Sequence, residues 1–167
     1  ENGIEWTRAK LEELFGSKLQ DPKPMGEFKV VDHMGWHGQK DGKWFLGVPI
    51  SSGRIADVGA VKSRTALRTI IGRYGINVVL TADQNIILCD IDEAQKADIE
   101  SILRANGVKL VEEITKLDRN FLACVALPTC GKALAEAERV RDPLVVEIEK
   151  VMQKHGILQD KISVRIA

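Results

Sequence analysis

Net charge is the first thing this sequence lacks. Lys and Arg together number 24 and Asp and Glu number 24, so charge argues neither for nor against a nucleic-acid partner. Long apolar runs are missing too: no stretch approaches the length that crosses a bilayer, and the start does not read as a signal segment. Three cysteines, an odd number, do not build a disulfide framework, which favours a reducing compartment such as cytoplasm or a plastid stroma. Internal repeats and low-complexity tracts are absent as well. What is present is a 167-residue chain, 44% apolar and 29% charged, enough for one globular domain or one and a fraction. It begins at Glu1 without a Met and ends on the strand-like run "KISVRIA", and both ends are read as cuts in a longer protein.

The residue pattern sets out an order of elements. "IEWTRAKLEELF" (4–15) carries Ile4, Leu11, Leu14 and Phe15 on a broad apolar face and predicts a helix, followed by a Pro- and Gly-rich linker to residue 26. "FKVVDHMGW" and "KWFLGVPI" read as strands, with Asp41-Gly42 as the hairpin turn between them. "SSGRIADVGA" reads as loop. Residues 61–74 place Leu67, Ile70, Ile71 and Tyr74 at helical spacing, with Gly75 as the stop. "INVVLTA" and "NIILCDI" predict two further strands around Asp83-Gln84, and residues 93–106 a second helix closed by Asn106-Gly107. Strand, strand, helix, strand, strand, helix predicts an α+β unit: an antiparallel sheet with helices on one face. Beyond it, residues 129–139 are expected to be helical, Asp142-Pro143 to start another helix that Gly156 closes, and "KISVRIA" to form the last strand.

The chemistry-bearing stretch is "FLACVALPTCGKALAEAER" (121–139). Cys124 and Cys130 stand on one loop, and thiolates are soft ligands for iron clusters and zinc. A helix starting near Thr129 would point N–H groups at any anionic centre held there. The spacing C-x5-C by itself reads equally as two buried structural cysteines, and two thiols do not complete a four-cysteine site. Gln84 reads as part of a polar turn, and Arg54 as a solvated or structurally paired loop arginine. His33, His37 and His155 share no ligand spacing. Cys89 reads as a small core residue in its strand, and Trp36 and Trp44 as packing on one sheet face.

"ACVALPTC" followed by "AEAER", together with "DHMGW…DGKWFLGVPISSGRIAD" and "LTADQNIILCDI", closely resembles the siroheme-containing sulfite and nitrite reductase family over roughly residues 27–167. The resemblance implies a ferredoxin-like half-repeat at 27–106 and the first part of an α/β siroheme and iron–sulfur domain at 107–167, after an N-terminal helix and linker at 1–26. It implies that Cys124 and Cys130 are two of four ligands to a [4Fe–4S] cluster. The other two would lie in a C-x3-C motif, "GCPNGC"-like, following a strand such as "ISVRIA". Gln84 would bond a siroheme carboxylate, Ala123 would be a small residue against the macrocycle, and Arg54 would meet a siroheme carboxylate or a neighbouring loop. "CVALPTC" with "AEAER" is similar to the sulfite group, with nitrite reduction as the alternative and a non-catalytic cluster-binding module as a third reading. The implied activity is six-electron reduction of sulfite to sulfide, fed by ferredoxin or a flavoprotein subunit. Basic residues that bind the anion would come from the remaining half-repeat of the same chain. No catalytic acid or anion-binding residue is assigned within these 167 residues.

Overall fold

The computed structural model describes residues 2–21, 23–26 and 31–167 and divides into two compact units, Glu1–Val31 and Asp32–Ala167. In the first, helix α1 (Ile4–Phe15) forms as its sequence predicts and is closed by left-handed Gly16. None of its residues is buried within that unit. The opening residues of "FKVVDHMGW", 28–30, lie outside the described residues.

The second unit opens with a four-stranded antiparallel sheet. Strand β1 (Gly35–Gly38) starts later than its apolar run suggests, because His33 and Gly35 both take positive φ and the Asp32 carboxylate accepts the Met34 N–H. β2 (Trp44–Val48) follows through the expected turn, where Gly42 has φ +84° and Lys43 N–H donates to Asp41. A short hairpin, β3 (Asp57–Val58) with β4 (Val61–Lys62), then precedes α2 (Ser63–Tyr74). Residues 61–62 were predicted as helix. They pair as strand instead, and Asp57 accepts the Thr65 N–H and hydroxyl across the start of α2. β5 (Val78–Leu80), β6 (Ile86–Ile91) and α3 (Lys96–Ala105) complete the set, and the sheet order is β1-β2-β6-β5.

Alternation decides which face is covered. Leu46, Val48, Ile86 and Leu88 point one way and pack with Ala66, Leu67 and Ile70 of α2 and with Ile99 and Leu103 of α3. Trp36 and Trp44 lie against this core, with the Lys96 ammonium 3.6 Å from the Trp44 ring centre. Cys89 is not in this core. It is half-buried, out of step with the inward-facing Ile86 and Leu88, just before a register shift between β2 and β6. Asp90 there takes φ +62°, held by Asn77 and Gln39 side chains. Burial, with Asp90 alongside, pushes the Cys89 thiol pKa up, so it stays protonated near neutral pH.

After α3 the chain passes through α4 (Lys116–Arg119) into β7 (Phe121–Ala123). β7 pairs in parallel with β8 (Val164–Ile166), and the long helix α5 (Glu138–Lys154) lies between them in sequence. Leu117, Phe121, Val145 and Met152 form the core of this part. The helix expected over 129–139 is absent. Residues 129–137 are irregular, with Cys130 N–H on Ala126 O, Ala133 N–H on Cys130 O and Leu127 N–H on Ala135 O. Alanine propensity loses to packing here: Ala123, Ala126 and Ala137 are buried against one another, which an extended helix through 129–139 would separate. Helix α5 then starts at Glu138, and Asp142-Pro143 lies inside it rather than opening a new one. Asp142 instead accepts bonds from Ser51 and Arg141.

Candidate cofactor-binding loop

Residues 124–137 form a loop that leaves the end of β7 and returns to α5. Cys124 is the first residue after β7, and its N–H donates to Ile166 O of β8 at 2.8 Å. That bond carries the parallel pairing one residue past the strand and fixes the backbone from which the thiol projects. Cys130 is anchored by its own N–H on Ala126 O, 2.8 Å away, where Ala126 has φ +45°. The Leu127-Pro128 bond between them is cis. Both thiols are free, Cys124 exposed and Cys130 half-exposed. The helix N-terminus expected near Thr129 is not there, so helix-dipole support for an anionic group at these thiols falls away. Val125 and Leu134 add apolar surface to the same loop, Leu134 at 99% exposure.

Gln84 meets the last residue of β7, directly before this loop. It sits in the β5–β6 turn with φ +61°, its Nε2 donates to Ala123 O at 2.8 Å, and Ala123 N–H donates to its Oε1 at 3.4 Å. Its turn is therefore not a remote hairpin tip. Ala123 is 1% exposed, its methyl enclosed by the alanine cluster and Ile166, so it does not face an open surface. Arg54 forms a two-pronged ion pair with Glu138 at the start of α5. The Arg54 guanidinium holds the Glu138 carboxyl below its ordinary range, and burial opposes this less strongly.

Several residues that shape the loop were not singled out from the sequence. Arg141 is the main one. It is buried, it donates to Phe121 O and Asp118 O and to the Asp118 and Asp142 carboxylates, and its guanidinium lies over the Phe121 ring. A signal for it existed: Arg141 falls on the same helical stripe as Val145, Ile148 and Met152, a charge at a core position. Ser51, which donates to Asp142, carried no such signal. His33 and His37 pack around Phe45, and His37 Nε2 lies 3.0 Å from Met34 O.

Two free thiols on one anchored loop suit half of a four-cysteine cluster. Among the described residues no group of three or more His, Cys, Asp or Glu side chains gathers at one point. The loop can hold an iron–sulfur cluster only with ligands from elsewhere. Nor is any helix among the described residues long and apolar enough to cross a membrane.

Residues 37–106 match the family described as the nitrite/sulfite reductase ferredoxin-like half domain. The chain is 40% identical over 164 residues to the sulfite reductase [ferredoxin] of Synechococcus elongatus, covering 98% of this chain and 26% of that protein. It is 39% identical over 165 residues to the sulfite reductase [NADPH] hemoprotein beta-component of Methylobacterium nodulans, covering 98% and 27%. Among solved structures it is similar to the Mycobacterium tuberculosis NirA protein, with a TM-score of 0.75, 28% identity, and coverage of 98% of this chain and 30% of that one. The chain thus spans about a quarter of the length of the curated relatives it matches.

Proposed function

We propose that the chain is part of a sulfite reductase of the siroheme-type nitrite and sulfite reductase family, an enzyme that reduces sulfite to sulfide: residues 37–106 match that family's ferredoxin-like half domain, and two similar proteins are named sulfite reductases. The observation that carries this reading is the anchored loop with two free thiols, Cys124 and Cys130, directly after a strand buttressed by the half domain. In this reading both thiolates ligate one [4Fe–4S] cluster, and two further cysteines outside these residues complete the set. When bound, the siroheme–cluster centre supplies the one-electron transfers that a six-electron reduction requires. Electrons reach it from a separate donor, a ferredoxin or a flavoprotein subunit, and the anion-binding side chains belong to the other half-repeat.

This chain's own residues bind and orient. Gln84 Nε2 carries two hydrogens, and only one is given to Ala123 O, which leaves the second for a siroheme carboxylate. Arg54 spends two of its five N–H groups on Glu138 and retains three. Ala123 contributes through its peptide and by its small size, which lets the loop close on Ala126 and Ala137. Val125 and Leu134 offer apolar surface of the kind a macrocycle covers, which would exclude water from the site.

The test is single substitution in the full-length protein. Cys124→Ser and Cys130→Ser should each abolish the cluster, read as non-haem iron and acid-labile sulfide per chain. Either variant retaining a full complement of iron and sulfide sinks the ligand assignment.

A further inference from the structure

The two strands that lead to the cysteine loop have one paired edge and one open edge. Asn120 O and Cys124 N–H both bond to β8, so by strand alternation Phe121 and Ala123 turn their peptide groups to the other side. Among the described residues no strand lies there. Two side chains occupy the edge instead: Arg141 on Phe121 O, and the Gln84 amide on both the C=O and the N–H of Ala123. A glutamine amide presents one donor and one acceptor side by side, as a neighbouring strand residue would. The turn that carries Gln84 is pinned through its neighbour Asn85. The Asn85 N–H donates to Thr81 Oγ1, Thr81 N–H donates to Asn85 O, and Ile50 N–H donates to Asn85 Oδ1. Behind it stands Gly53, φ +67°, where a methyl would come within 3.2 Å of the Gln84 Cβ.

We propose that Gln84 is a positioning residue for Cys124: its amide takes the place of a missing strand, grips the Ala123 peptide, and so transmits the rigid half-domain turn to the first thiol. This rests on the ligand reading above but goes beyond a siroheme contact, since it acts through backbone and operates before any cofactor is bound.

Hydrogen–deuterium exchange on the full-length chain purified without cofactors tests it. Gln84→Met keeps the side-chain length and removes both bonds. It should raise exchange in peptides covering 120–125 by about tenfold, the effect of losing roughly one net hydrogen bond, with residues 96–105 unchanged. Unchanged exchange over 120–125 overturns the proposal, because a group that only touches siroheme leaves the cofactor-free chain alone. Should Met also loosen 96–105, Gln84→Glu decides. It keeps the acceptor for Ala123 N–H and loses the donor, and it must raise exchange over 120–125 selectively. In the loaded protein, Gln84→Met should speed iron release to a ferrous chelator, and siroheme loss with unchanged iron release overturns the proposal. Cys124→Ser separates the two readings: iron retained there removes the ligand assignment but leaves the exchange result standing.

Discussion

At the scale of single residues, the most demanding positions are those where a side chain or its absence is fixed by backbone. Gly107 is one. It takes φ +71°, and a Cβ built on it would lie 2.5 Å from Ala60 O. Gly107→Ala therefore combines a left-handed strain of about 1–3 kcal/mol with a clash against backbone that the β3–β4 hairpin cannot relieve. A fall in urea midpoint equivalent to at least about 2 kcal/mol is expected, and a smaller fall would mean the hairpin shifts freely. Arg141 is the other. Its guanidinium is buried and has Phe121 O, Asp118 and Asp142 as acceptors, so truncation leaves the mostly buried Asp118 carboxylate and two carbonyls without their donor, while Asp142 keeps water and Ser51. Arg141→Ala should cost about 3 kcal/mol by chemical denaturation, and Arg141→Lys most of that, since an ammonium cannot reach the same fork of acceptors.

Between elements, the contact of the 3-10 turn Ser51–Gly53 and Arg54 with the start of α5 is a pH-sensitive one. Glu138 has its pKa lowered from 4.5 by Arg54, so the pair stabilises the fold above that value and its contribution is lost as pH falls through the lower folded value. Arg54→Met should therefore weaken the chain at pH 6 and lose its difference from wild type as the pH falls below 4.5 and through the lower folded value. Thermal melts at a series of pH values check this, and a difference that stays constant from pH 6 down to acid unfolding would refute it. Elements also show where sequence was readable. α2 and α3 announce themselves because their apolar spacing is local and matches the face they bury, as Ala66, Leu67, Ile70, Ile99 and Leu103 do. β7 does not, because three residues become a strand only by pairing with Val164–Ile166 far along the chain. Residues 129–137 mislead in the opposite direction: their alanines favour helix locally and are claimed by a cluster that only the folded chain assembles. The two cysteines and Gln84 were legible as candidate site residues, yet the contact of Gln84 with Ala123 and that of Arg141 with Phe121 were not. Gln84 lies 39 positions from Ala123, and Arg141 lies 20 from Phe121.

For the molecule as a whole, the thiols set a limit on what these residues can do alone. Cys124 and Cys130 share a loop, while Cys89 sits half-buried in β6 with its thiol held protonated. Residues 1–167 incubated anaerobically with iron, sulfide and siroheme are therefore expected to form no stable coupled centre and to show no sulfite reduction. A coupled absorbance spectrum with turnover would move the missing ligands back inside this chain. The parallel pair β7–β8 adds a constraint of timing. Phe121 and Val164 are 43 positions apart, so a ribosome adding about 5–20 residues per second leaves the first strand without its neighbour for about 2–9 seconds. Throughout that interval the half domain, whose sheet and helices end by Ala105, can already be assembled, and the Gln84 turn with it. The nascent chain thus offers a finished template before it offers a finished thiol loop. If Cys124 ligates a cluster as proposed, iron that arrives before the second strand emerges would meet a thiol whose backbone N–H still lacks its Ile166 O partner.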